Sequence, residues 1–118
     1  MKRSNAPVFW LLFGAGGMLS ALLGTALVFV TGVSAPLDLP PAAGLFDYPR
    51  ILGLVQHGLV KVFLFLVIAL FAWHAVHRIL HSLHDLGLPM SMAAKLACYG
   101  AALAVTLTSA WSLLAIGR

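Results

Sequence analysis

Between Val8 and Thr31 the chain carries no ionisable side chain. Wound as a helix at 1.5 Å per residue, these about 24 residues reach about 36 Å, enough to cross a hydrocarbon core of about 30 Å with some tilt. The run is too long for a signal-peptide core, and no small-residue cleavage pattern precedes a soluble domain, so it reads as a retained span. Two further apolar runs follow. The second extends from Lys61 to Arg78, 17 steps or about 26 Å of helix, with a cation at each end able to snorkel outward. The third opens near Lys95 and continues through Ser112 to Ile116. In lipid a backbone must satisfy its own polar groups, so apolar runs of this length are helices.

Composition agrees with three such spans. Hydrophobic residues make up 62% and charged residues 8%, where a soluble domain carries about a quarter charged. There is no Glu, and Asp38, Asp47 and Asp85 stand near the ends of apolar runs. The net charge of +4 comes from basic residues scattered at flanks, which marks membrane topology and gives no reason to expect nucleic acid as a partner. Cys98 is the single cysteine. No intrachain disulfide is possible, and the thiol reads as buried and inert.

Punctuation along the chain sets the elements. Ser4 or Asn5 can cap a first helix that has Pro7 in its opening turn. Within it Gly17, Ser20 and Gly24 permit close approach of another backbone, and Trp10 sits at the depth indoles favour. Gly32 to Pro49, with Pro36, Pro40, Pro41 and Gly44, is the one long connection. A second helix beginning near Tyr48 or Arg50 runs past Gln56, His57 and Lys61 to the Asp85 turn, where Gly87 and Pro89 stop it. In the third, Thr106, Thr108, Ser109 and Ser112 can bond back to their own helix, and Trp111 marks the far interface. The expectation is one all-α integral membrane-anchor domain over 1–118, with transmembrane helices over about 7–32, 49–86 and 92–116. Lys2 and Arg3, with Arg78 and Lys95 in the second connection, place the N-terminus in the cytoplasm and the C-terminus in the periplasm by the positive-inside rule.

Four of the five histidines lie between Trp73 and Asp85. At 100° per residue, His77, His81 and His84 fall at roughly −60°, −20° and −80° from His74, with Arg78 near +40° and Asp85 near +20°. One helical face thus carries every ionisable group of the segment, at the same membrane face as Trp10. An indole N–H and a guanidinium donate hydrogen bonds and imidazole relays protons near neutral pH. A quinone headgroup needs these functions: donors to two carbonyl oxygens, an aromatic wall and a proton route. Trp10 as a plain interface anchor, Arg78 as a topology signal, and His81 and His84 as a solvated helix end are the simpler alternatives. A metal site is not expected, because His77 and His81 at i, i+4 lack a third ligand.

The blocks Pro7-Val8-Phe9-Trp10, Leu12-Phe13-Gly14-Ala15-Gly16-Gly17-Met18, Lys61-Val62-Phe63-Leu64-Phe65-Leu66 and His77-Arg78 with His81 and His84-Asp85 resemble the D subunit of bacterial quinol:fumarate reductase, its small membrane anchor. The similarity runs from about Lys2 through the second helix and rests in the third on length and hydropathy. The resemblance implies a non-catalytic inner-membrane subunit. With a second membrane anchor it would hold a flavoprotein and an iron–sulfur protein in a heterotetramer, the FAD and iron–sulfur clusters residing only in those partners. It further implies a menaquinol site at the subunit interface involving Trp10, His77 and Arg78, with His81, His84 and Asp85 as a proton relay. A distal quinone site would match Leu54, Gln56 and His57, the last standing where relatives have serine. His74 stands 11 residues before Asp85, the spacing of a haem b ligand in the related succinate dehydrogenase anchors, whereas fumarate reductase relatives bind no haem. The competing readings are a haem-bearing succinate dehydrogenase anchor, a structural tether without quinone contact, and a small channel or holin-like protein. The last is disfavoured because the polar groups gather at one interface.

Overall fold

A computed structural model describes residues 4–117. The cations Lys2, Arg3 and Arg118, on which part of the topology expectation rests, lie outside the described residues. Four helices account for most of the rest. We label them α1 (Ala6–Ser34), α2 (Tyr48–Gln56), α3 (Gly58–Asp85) and α4 (Met92–Ala115). Among the described residues α1, α3 and α4 are long and apolar enough to cross a membrane. The helices run up, down and up, and α1 and α4 both pack on α3. At 28 residues, α3 is about 42 Å long and overhangs the hydrocarbon by about 12 Å.

Local chemistry explains the boundaries. The Ala6 N–H is capped by the Ser4 hydroxyl at 3.2 Å, and Pro7 occupies the first turn. α1 continues to Ser34 through π-helical turns at Ser20–Gly24 and Val30–Ser34, each containing a glycine that eases wider winding. Ser34 ends it while fully buried: its hydroxyl donates to the Leu39 carbonyl at 2.5 Å and accepts from the Ala42 N–H at 3.0 Å. That one side chain ties the proline-rich connection to the helix it leaves. Arg50 closes the connection from the other side, donating to the Gly44 carbonyl at 2.9 Å.

The stretch expected as one helix over 49–86 is divided at His57, whose backbone is extended (φ −70°, ψ 130°). His57 closes α2 with its N–H on the Leu54 carbonyl (3.2 Å) and opens α3 with its carbonyl accepting the Lys61 N–H (3.0 Å). Gly53 and Gly58 on either side weaken the helix by about 1 kcal/mol each relative to alanine, which makes an interruption cheap there. The other end of α3 stops in a Schellman turn. Gly87, at φ 74°, donates to the His84 carbonyl (2.9 Å) and Leu88 donates to the Leu83 carbonyl (3.2 Å), a geometry that glycine supplies without a Cβ clash. Ser91 caps α4, accepting the Ala94 N–H at 3.1 Å.

The interior is small. Val76, Leu80 and Ala102 are buried between α3 and α4, with Trp73, Met90, Cys98 and Tyr99 packed around them. Trp73 donates its indole N–H to the Thr106 hydroxyl at 3.1 Å, and that hydroxyl donates in turn to the Ala102 carbonyl at 2.8 Å. Cys98 is half-buried in this cluster. Most other apolar side chains stay exposed, among them Leu59, Val62, Phe63, Leu107 and Leu114. In water such a surface would drive aggregation; against lipid tails, as apolar as leucine, it carries no penalty.

Candidate functional site

α1 and α3 meet at a seam of glycines. A Cβ on Gly16 would come within 2.7 Å of the Leu70 carbonyl oxygen and 2.9 Å of the His74 Cβ. One on Gly17 would come within 2.8 Å of the His74 Cε1. No residue larger than glycine fits either place without displacement, so the Gly16-Gly17 pair is what lets the two backbones approach. Into the notch it leaves, His74 inserts its ring, with Nδ1 3.0 Å from the Phe13 carbonyl oxygen. Since that oxygen only accepts, Nδ1 is the protonated nitrogen.

One turn further along α3, His77 stacks on the Phe13 ring with centroids 4.0 Å apart and planes 9° from parallel. The His77 ring also meets His81 edge-on at 4.3 Å. Phe13 is therefore held twice, through its backbone by His74 and through its ring by His77. Trp10, one turn before Phe13, and Arg78, next to His77, then face one open cleft. Ala6, Phe9, Trp10, Phe13 and Gly14 from α1 and His74, His77, Arg78 and His81 from α3 line it, and its volume is about 530 Å³. That is within the range of small-molecule pockets, about 300–1,000 Å³. Its lining joins an aromatic wall to donors at one rim. Trp10 leaves 80% of its surface exposed. Among the described residues no hydrogen bond engages its indole N–H or the Arg78 guanidinium.

Of the residues singled out in the sequence, Trp10, His77 and Arg78 thus come together, with His81 beside them and His74 in the seam behind. His84 and Asp85 follow on the last turn of α3, both exposed. Leu54, Gln56 and His57 stand at the opposite end, His57 about 30 Å along the chain of helical turns from His77. There Gln56 packs on Gly117, where a Cβ would lie 3.1 Å from the Gln56 Cγ. Sequence periodicity puts His74 on the polar face but does not place it against Gly16 and Gly17, since the phase of α1 against α3 is a tertiary fact. Phe9 and Phe13 are likewise visible in the sequence only as apolar residues of a span.

Among the described residues no three His, Cys, Asp or Glu side chains group to hold a metal ion. A bis-histidine haem needs ligands on two sides of the ring. His77, His81 and His84 share the helix of His74, and His57 is at the far end, so a partner for His74 would have to come from another chain.

Comparison with known proteins points to one family. A family model for the fumarate reductase D subunit matches residues 1–114. The chain is 41% identical over 99 residues to a protein of that name from Vibrio cholerae, covering 84% of this chain and 75% of the relative. It is 39% identical over 105 residues to one from Photobacterium profundum, covering 89% and 87%. A third relative, from a Shewanella species, is 38% identical over 113 residues, covering 93% and 91%.

Proposed function

The chain belongs to the family of fumarate reductase D subunits, and from that premise we propose that it forms part of a quinol-oxidising pocket as well as anchoring the complex in the membrane. Membership makes it an accessory, membrane-anchoring subunit, and its three membrane-spanning helices fit that role. The finer reading is that it holds a flavoprotein and an iron–sulfur subunit at the bacterial inner membrane together with a second anchor. The N-terminus, the cleft and the α3–α4 turn face the cytoplasm, and the C-terminus faces the periplasm. A reporter enzyme active only outside the cytoplasm, fused after the last residue, should be active; silence there would reverse the orientation.

One observation carries the pocket: the cleft in which α1 delivers Trp10 and α3 delivers His77 and Arg78. A quinol ring, menaquinol in the first instance, lies against Phe9, Phe13 and the His77 edge. Trp10 and Arg78 donate to its oxygens, Arg78 also stabilising negative charge as a proton departs. Oxidation releases two electrons and two protons. The electrons pass to redox centres of the partner subunits. The protons leave along α3, from His77 to His81 at ring contact and then toward His84 and Asp85, where the helix enters water. In this reading fumarate itself is reduced in the partners. On the same reading the pocket works without haem, as in the fumarate reductase anchors the chain resembles; a b-type α-band in the reduced spectrum of the purified complex would contradict that last statement.

The test separates quinol chemistry from fumarate chemistry. In assembled complex, Trp10→Leu and Arg78→Leu should slow quinol-dependent fumarate reduction while leaving reduction driven by a soluble dye unchanged. Equal loss of both activities, or loss of neither, would return this chain to the role of a tether.

A further inference from the structure

We propose that His74 is a positioning residue for quinol oxidation, its Nδ1–H bond to the Phe13 carbonyl setting the register in which α1 presents Trp10 to Arg78. The inference rests on reading the Trp10–Arg78 cleft as the quinol pocket. It assigns His74 a task carried by Nδ1, separate from the haem ligation known in the related succinate dehydrogenase anchors.

The geometry is that of a three-point lock. The hydrogen bond from His74 to Phe13, 3.0 Å long, fixes α1 along its axis. The Phe13–His77 stack, at 4.0 Å and 9°, fixes its rotation. Gly16 and Gly17 fix the separation, because the Leu70 carbonyl and the His74 ring already occupy the space where their Cβ atoms would stand. A slip of α1 by one residue would carry Trp10 about 1.5 Å along the axis and turn it about 100°, out of the cleft and toward lipid. The Trp10 side chain makes no hydrogen bond among the described residues, so its place in the cleft depends on the lock one turn away. A hydrophobic seam alone would not specify this register, since leucine and phenylalanine side chains pack against lipid as well as against each other. A directional bond between an imidazole N–H and a backbone carbonyl does when the ring can enter only beside Gly16 and Gly17.

His74→Phe keeps a flat ring and removes the donor, whereas His74→Asn places an amide N–H close to where Nδ1 stands. In assembled complex, His74→Phe should raise the KM for quinol about tenfold, the change expected when about one hydrogen bond to the ring is lost through misplacement, with dye-driven fumarate reduction unchanged. His74→Asn should restore most of the affinity. Wild-type quinol kinetics in His74→Phe, or an Asn variant as impaired as the Phe variant, would overturn the assignment. If His74→Phe does not assemble, Gly17→Ala serves instead: its methyl presses on Cε1 and should raise the quinol KM. Combining it with His74→Asn, which has no Cε1, should relieve the defect. Additive losses in that pair would equally overturn the lock. Arg78→Leu run alongside distinguishes the two levels. If it leaves quinol kinetics untouched, the pocket reading fails; if it impairs them while His74→Phe does not, only the lock fails.

Discussion

The two ends of the helical bundle hold similar residues and use them differently. At one end Trp10, His77, Arg78 and His81 line an open cleft with donors uncommitted. At the other, the Lys61 side chain and the His57 backbone are engaged in closing the structure. Lys61 donates from Nζ to the Ile116 carbonyl at 2.6 Å, a cation on the C-terminal carbonyls of α4, where the helix dipole favours it. Gln56 packs on Gly117, whose φ of 85° ends that helix, and the His57 backbone joins α2 to α3. Ionisable residues that face inward at membrane depth are functional candidates by default. The contrast is between an ammonium already matched within the chain, at Lys61, and the indole and guanidinium of Trp10 and Arg78, which have no such partner among the described residues.

Substitutions at the two ends should therefore part company. Arg78→Leu should have the largest effect, lowering quinol turnover by about two orders of magnitude, as for loss of a preorganised charge-stabilising donor; steady-state kinetics with quinol against a soluble dye reads it. Trp10→Leu should come next, at about tenfold in the same assay, the equivalent of one hydrogen bond near about 1.4 kcal/mol. Lys61→Met should leave quinol kinetics unchanged and lower the thermal stability of the detergent-solubilised complex by about 1 kcal/mol, the scale of a helix-end charge. Trp73→Phe, which removes the bond to Thr106, should cost about 0.6 kcal/mol by the same measurement. His57→Ala should change neither. A raised quinol KM or the loss of a bound quinone in His57→Ala would break the comparison and make Leu54, Gln56 and His57 a distal quinone site.

Much of this arrangement is legible in the sequence, because lipid imposes simple rules. Charge-free runs give α1, α3 and α4, and Gly87 with Pro89 gives the stop after Asp85. Helical spacing gives one polar face from His74 to Asp85. The convergence of Trp10 with His77 and Arg78 follows from an antiparallel pair whose ends meet at one membrane face. What the sequence hides depends on contacts between distant segments. The bond from Lys61 to Ile116 joins residues 55 apart, and nothing local announces it. The break at His57 is concealed because helix formers flank it on both sides and only two glycines hint at the weakness. His74 is the clearest case. The resemblance sets it 11 residues before Asp85, as in the haem-bearing succinate dehydrogenase anchors, but nothing in the sequence shows that Gly16, Gly17 and the Phe13 carbonyl surround it in the α1–α3 seam.

In the proposed arrangement a quinol ring sits between α1 and α3 at the Trp10–Arg78 cleft. Photolabelling of the intact membrane complex with an azido-naphthoquinone, followed by peptide mapping of this chain, tests it directly. Label should fall on the segments around Phe9–Phe13 and His77–His81 and be displaced by excess menaquinone. Displaceable label found only in the partner subunits, or only around Leu54–His57 in this chain, would contradict it.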